Sequence, residues 1–128
     1  MFNTIRHAVR VVHAHVRDHL KRNNRSPHWP RVERQTLAQR PTCEACGGTL
    51  RRQVHHKQPF HLHPELELDP HNLIVLCMGP KECHIRLGHG DDFKAYNVNV
   101  ARDAVTVLGN DALRPGIEAE AKKDRQYE

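Results

Sequence analysis

The sequence predicts a small α+β protein whose core is held by a metal ion, and three observations carry that reading. An apolar stripe of helical period opens the chain. A C-x2-C pair (Cys43, Cys46) and a second pair six positions apart (Cys77, Cys83) bracket two short stretches of strand character. A helix-forming stretch over Glu82 to Leu87 then ends at Gly88.

At 128 residues, with only 5% aromatic side chains, the chain makes one domain or a small core with flanking arms. A core that poor in large side chains needs a staple, and all four cysteines lie between residues 43 and 83. The expected organisation is a basic helical N-terminal arm over 1–40, a core over 41–92, and a docking segment with a charged tail over 93–128. Residues 1–22 carry Arg and His throughout and never form the apolar run of a secretory signal. No segment reaches the roughly 20 apolar residues of a membrane span. A cytoplasmic protein is expected, with no membrane partner, and there cysteine pairs favour metal over disulfide. Disulfides Cys43–Cys46 and Cys77–Cys83 are the alternative for an exported chain.

The formal charge of +5 is unevenly placed. Residues 1–40 carry nine Lys/Arg against Asp18 and Glu33, while 41–109 and 110–128 are each close to neutral. A positive arm on a neutral body points to nucleic acid as the partner.

In chain order, Asn3 or Thr4 caps a helix running to Lys21 or Arg22, with Ile5, Val9, Val12, Val16 and Leu20 on one stripe. Arg22 to Pro30 is turn-rich, and Trp29 reads as a core anchor. A second helix spans Arg31 to Gln39 with Val32 and Leu37 inward, stopped before Pro41. Thr49 to His56 alternates as a strand, with Leu50 and Val54 on one face. Lys57 to His71 holds Pro59, Pro64 and Pro70 among apolar residues and reads as an ordered loop. Leu73 to Leu76 is a second strand. Phe93 and Tyr96 are expected to dock on the core, Val98–Val100 and Val105–Leu108 to form short extended pieces, and the chain from Arg114 to fray.

The two cysteine pairs can place four thiolates around a tetrahedral Zn2+, a closed site with a structural role. Twelve histidines are too many to assign by type, so position must choose. His55 and His56 stand together at a strand end, where alternation sends them to opposite sides. That divergence suits one imidazole on a metal and the other aimed at a water. Asn72 opens the returning strand and can fix the second imidazole by hydrogen bonding, while His84 approaches from the short helix.

With these pieces the chain resembles the HNH endonucleases, also called His-Me finger or ββα-metal nucleases, in their four-cysteine form. The resemblance rests on C-E-A-C (43–46), V-H-H-K-x-P (54–59), L-D-P-H-N-L-I-V-L-C (68–77), C-H (83–84) and G-H (88–89), and covers residues 41–90. The strings HLHPELELDPHNLI and YNVNV are similar to those of small bacterial and phage members. It implies a ββα-metal core in which His56 is the general base, Asn72 orients it, and His55 and His84 bind a catalytic divalent metal. Histidine-rich members add a ligand four residues after the position of His84. Here that residue is Gly88, and His89, one further on, is the candidate.

The activity implied is hydrolysis of phosphodiesters in DNA, preferably double-stranded, leaving 5′-phosphate and 3′-hydroxyl ends, with nicking as one outcome. A site rich in imidazole is expected to accept Mn2+, Ni2+, Co2+ or Zn2+ at least as well as Mg2+. Arg51, Arg52, Lys57 and Arg86 are the candidate phosphate contacts near this core. A chain of this size offers little recognition surface, so a homodimer or an accessory protein is expected for any strict specificity. A zinc-stapled nucleic-acid-binding module without catalysis is the alternative reading, with the histidines as scaffold. A zinc-bearing protein-interaction adaptor is a third, which leaves the basic arm unused.

Overall fold

The structure is a computed structural model and describes residues 25–128. The expected N-terminal helix lies outside these residues. Helix α1, Trp29–Gln39, carries Pro30 in its first turn, where an absent N–H leaves no bond unmade. It ends ahead of Pro41 and packs on both strands of the first sheet, with Thr36 buried and Val32 and Leu37 half-buried.

Strands β1, Arg52–His56, and β2, Leu73–Cys77, pair antiparallel with Val54 opposite Val75, His55 opposite Ile74 and His56 opposite Leu73. The first strand is shorter than the sequence suggests. Arg51 has φ +51°, so the chain turns there and Leu50 is left 65% exposed instead of sharing a face with Val54. Every residue of β2 is buried because both faces are covered. Ile74 and Leu76 pack with Leu87, Val100, Ala104, Val107 and the cysteines, and that cluster is the core. Arg52 and Arg40 tie this layer together. Arg52 donates to the Leu37 and Thr49 oxygens, both at 3.2 Å, and Arg40 to the Leu73 oxygen at 2.7 Å.

The proline-rich loop is ordered, as expected, with two single 3-10 turns at Pro64–Leu66 and Pro70–Asn72 and Phe60 buried beneath it. After β2 comes one π-helical turn, His84–Gly88. The chain beyond it departs from the sequence reading. In place of two extended pieces there is helix α2, Val100–Gly109, whose Val100, Ala104 and Val107 recur at helical spacing and are buried. Phe93 is 57% exposed and does not dock, whereas Tyr96 does. The tail from Arg114 is not frayed: Arg114–Asp124 forms helix α3, with Arg114 and Ala121 buried. Strand β3, Ala95–Tyr96, pairs antiparallel with strand β4, Gln126–Tyr127, making a second small sheet. The fold is thus mixed α+β with two small antiparallel sheets. No helix among the described residues is long and apolar enough to cross a membrane.

Candidate functional site

The four cysteines converge from three places: Cys43 and Cys46 from the turn after α1, Cys77 from the end of β2, and Cys83 from just before the π turn. Gly47 makes the knuckle possible, because its φ of +73° is left-handed backbone that a side chain disfavours. The four sulfurs all lie within 4.8 Å of one another, and none is in a disulfide. Cys46 Sγ and Cys77 Sγ are 3.6 Å apart. Two donors point at the sulfurs, the Gly48 N–H at Cys46 and the Arg114 guanidinium at Cys83, each at 3.4 Å.

A hydrogen bond with Cys83 holds the Cys43 thiol down at about 4. The same bond, with burial behind it, pushes Cys83 up, and burial also raises Cys46. The metal-free cluster therefore cannot hold four thiolates together. A bound dication removes that conflict, and the residues fit a metal ion such as zinc.

The strand alternation of β1 separates the two adjacent histidines as the sequence suggests. Gln53 and His55 face the π turn, while His56 stacks on Trp29 of α1 with ring centroids 4.6 Å apart. On the first side, one nitrogen from each of His55, His84 and His89 lies within 4.8 Å of the other two. His84 Nε2 is 3.1 Å from His55 Nδ1 and 3.2 Å from His89 Nε2.

The π turn explains how His89 joins. A π turn holds more residues than an α turn, so positions i and i+5 share a face where an α-helix would bring i and i+4 together. Gly88 also lets the turn lie against His55, since a Cβ there would come within 3.2 Å of His55 Cε1 and of Leu76 Cδ1. The buried Asn97 side chain braces the turn from below, donating to the Leu87 oxygen at 3.0 Å.

The outer ring nitrogens fix the tautomers. His84 Nδ1 donates to Gln53 Oε1 and His89 Nδ1 to the Ala95 oxygen, each at 2.7 Å. Both Nε2 atoms then carry lone pairs, and these oppose each other across 3.2 Å. His55 Nδ1 can donate to one of them but not to both. Burial lowers all three imidazoles, His84 to about 4 and His55 well below its ordinary value, so all three are neutral at pH 7. Neutral, preoriented and facing one another, they fit a divalent ion held by His55 Nδ1, His84 Nε2 and His89 Nε2.

His56 donates through Nε2 to the Glu67 main-chain oxygen at 2.9 Å, which leaves Nδ1 as the acceptor. Burial lowers its pKa as well. Asn72 makes no hydrogen bond to this ring, a correction to the direct bond expected. Its Oδ1 accepts from the Gln58 N–H at 2.8 Å, and its Nδ2 donates to the Gln58 and Leu66 oxygens. It clamps the loop that carries Glu67 and so acts on His56 at one remove. His55, His84 and His89 share a cavity of about 230 Å3 with His56, Phe93 and Arg25.

None of the four basic residues named from sequence lines that cavity. Arg51 is exposed at the turn into β1. Arg52 is spent on main-chain oxygens, Lys57 lines a separate groove beside α2, and Arg86 pairs with Glu82 at 3.5 Å and Glu118 at 3.8 Å. The sequence reading missed Arg25, Gln53, Glu67 and Arg114. Each acts on a residue at least thirty positions away, the exception being Glu67 on His56, and no local pattern marks such pairs. Compared with protein-family models, with curated proteins and with solved structures, the chain finds no match.

Proposed function

We propose that this chain is a metal-dependent endonuclease of the HNH type, cleaving phosphodiesters in DNA with His56 as general base. The observation that carries the reading is the division of labour at the end of β1. His55 joins two tautomer-fixed imidazoles in a ligand set, and the adjacent His56, held by a main-chain oxygen on the opposite side of the strand, borders the same cavity. Two antiparallel strands followed by a helical turn are also what a ββα-metal core requires.

His56, neutral at pH 7 with Nε2–H committed to the Glu67 oxygen, accepts a water proton at Nδ1 as that water attacks phosphorus in line; the P–O3′ bond breaks and the 3′ oxygen leaves, taking a proton from solvent, to give 5′-phosphate and 3′-hydroxyl ends. A divalent ion at the imidazole set supplies Lewis-acid stabilisation of the charge that develops on the phosphate. Asn72 keeps the base aligned through the loop it clamps. The thiolate centre takes no part in the chemistry and holds the knuckle, β2 and the π turn together.

The test is supercoiled plasmid incubated with the protein and Mg2+, Mn2+ or Ni2+, beside His56→Ala. Nicked or linear product is expected, lowered about 10²–10⁴-fold in the variant. Intact plasmid with every metal, together with a retained gel shift, would replace this reading with a zinc-stapled nucleic-acid-binding module.

A further inference from the structure

Two buried side-chain nitrogen atoms lack a hydrogen-bond partner among the described residues, Arg25 Nη1 and His55 Nε2, and both residues line the same cavity. Folded proteins leave few buried polar groups unpaired, and such groups beside a cavity point to a ligand that supplies the missing partner. The surroundings of Arg25 are built. Its guanidinium lies 5.1 Å from the Trp29 ring centroid and 4.9 Å from that of Phe60, contacts that fix the plane of the fork.

Glu67, itself buried, accepts the Ser26 N–H at 2.9 Å and thereby anchors the backbone next to Arg25. Its carboxylate stands 3.8 Å from Nη1, close enough to balance the charge and too far to take the hydrogen bond. The main-chain oxygen of the same residue receives His56. One residue therefore positions both the candidate base and a cation with unspent donors.

We propose that Arg25 forms an oxyanion subsite of this cavity that takes a phosphoryl group, with Glu67 as the residue that positions it. The planar fork suits two oxygens of a tetrahedral phosphate. The inference deepens the nuclease reading and rests on it for the identity of the natural ligand. Arg25 then holds the phosphate against the imidazole centre, in register with His56.

The experiment is calorimetric titration of the full chain with inorganic phosphate, comparing wild type, Arg25→Met and Arg25→Lys, with melting curves to check folding. Arg25→Met should weaken phosphate binding about tenfold or more, the loss of a charge-assisted hydrogen bond, and Arg25→Lys should lie between. On duplex DNA, Arg25→Met should lower the slope of log affinity against log salt by about one contact. If Arg25→Met misfolds, the folded Arg25→Lys decides: binding equal to wild type overturns the subsite. Wild type that binds no phosphate overturns it as well. Plasmid nicking with phosphate binding indifferent to Arg25 would sink the subsite and leave the nuclease standing. Arg25-dependent phosphate binding with no nicking would do the reverse.

Discussion

Cys83 and His84 are neighbours in the chain, yet the sulfur of the first is fully buried among three others while the ring of the second borders an open cavity. The thiolate centre gathers ligands from three separate parts of the fold and meets donors, Gly48 N–H and the Arg114 guanidinium, that stabilise negative charge. The histidine cluster draws its three rings from β1, the π turn and the residue that caps it, and its partners, Gln53 and the Ala95 oxygen, are acceptors that orient neutral rings. A site of the first kind closes chain segments on one another and gains by being sealed. A site of the second kind gains by being aimed, and it keeps a face toward a space that a substrate can enter.

That contrast is broken most severely at sulfur. Cys83→Ser removes a ligand that joins the knuckle, β2 and the π turn in a protein with a small core. The expected result is loss of the cooperative melt at 25 °C, a cost of at least roughly 5 kcal/mol, read by circular dichroism. A Cys83→Ser protein that melts like wild type would show that the sulfurs do not hold the fold.

A change on the imidazole side should do the opposite. Gln53→Ala frees His84 Nδ1 and with it the tautomer, so affinity for an exchangeable divalent ion should fall about 10–100-fold, with the melting temperature little altered. Calorimetry with Mn2+ or Ni2+ reads the first and a thermal scan the second. Equal affinity in the variant would mean that Gln53 does not fix the ring.

The same contrast can be sharpened with pH. The three imidazoles are neutral in the folded protein, and His84 remains so down to about 4, whereas in the unfolded chain each protonates near 6.5. Between those values the unfolded state binds more protons. With the imidazole centre metal-free, stability should be full above pH 6.5 and decline as pH falls toward 4. Denaturant midpoints that stay flat across that window would contradict the burial assigned to these rings.

The two centres were unequally legible in the sequence. The cysteine pairs announce themselves by spacing, and the alternation of β1 separates His55 from His56 without any knowledge of what each meets. His89 is ambiguous in the sequence because Gly88 stands where the four-residue step from His84 falls, and it is the π turn that brings the next residue back. The β-branched Val98, Val100, Val105 and Val107 favour extended chain where helix α2 forms, although burial selects Val100, Ala104 and Val107, which sit at helical spacing. Helix α3 has almost no large apolar residue, and its order comes from a buried arginine reaching a distant sulfur and two nearby carboxylates. Arg25 meets Glu67 across forty-one positions of intervening chain, a pairing fixed by tertiary structure alone.

Metal stoichiometry tests the central contrast most directly. Elemental analysis of the full chain at saturating metal, before and after brief mild chelation, should show two ions per chain falling to one, with the circular dichroism spectrum unchanged and a cooperative melt retained. Cobalt in place of the retained ion should give the charge-transfer absorption of thiolate ligation. A single ion at saturation, or two that leave together as the protein unfolds, would contradict the separation of a sealed thiolate centre from an exchangeable imidazole one.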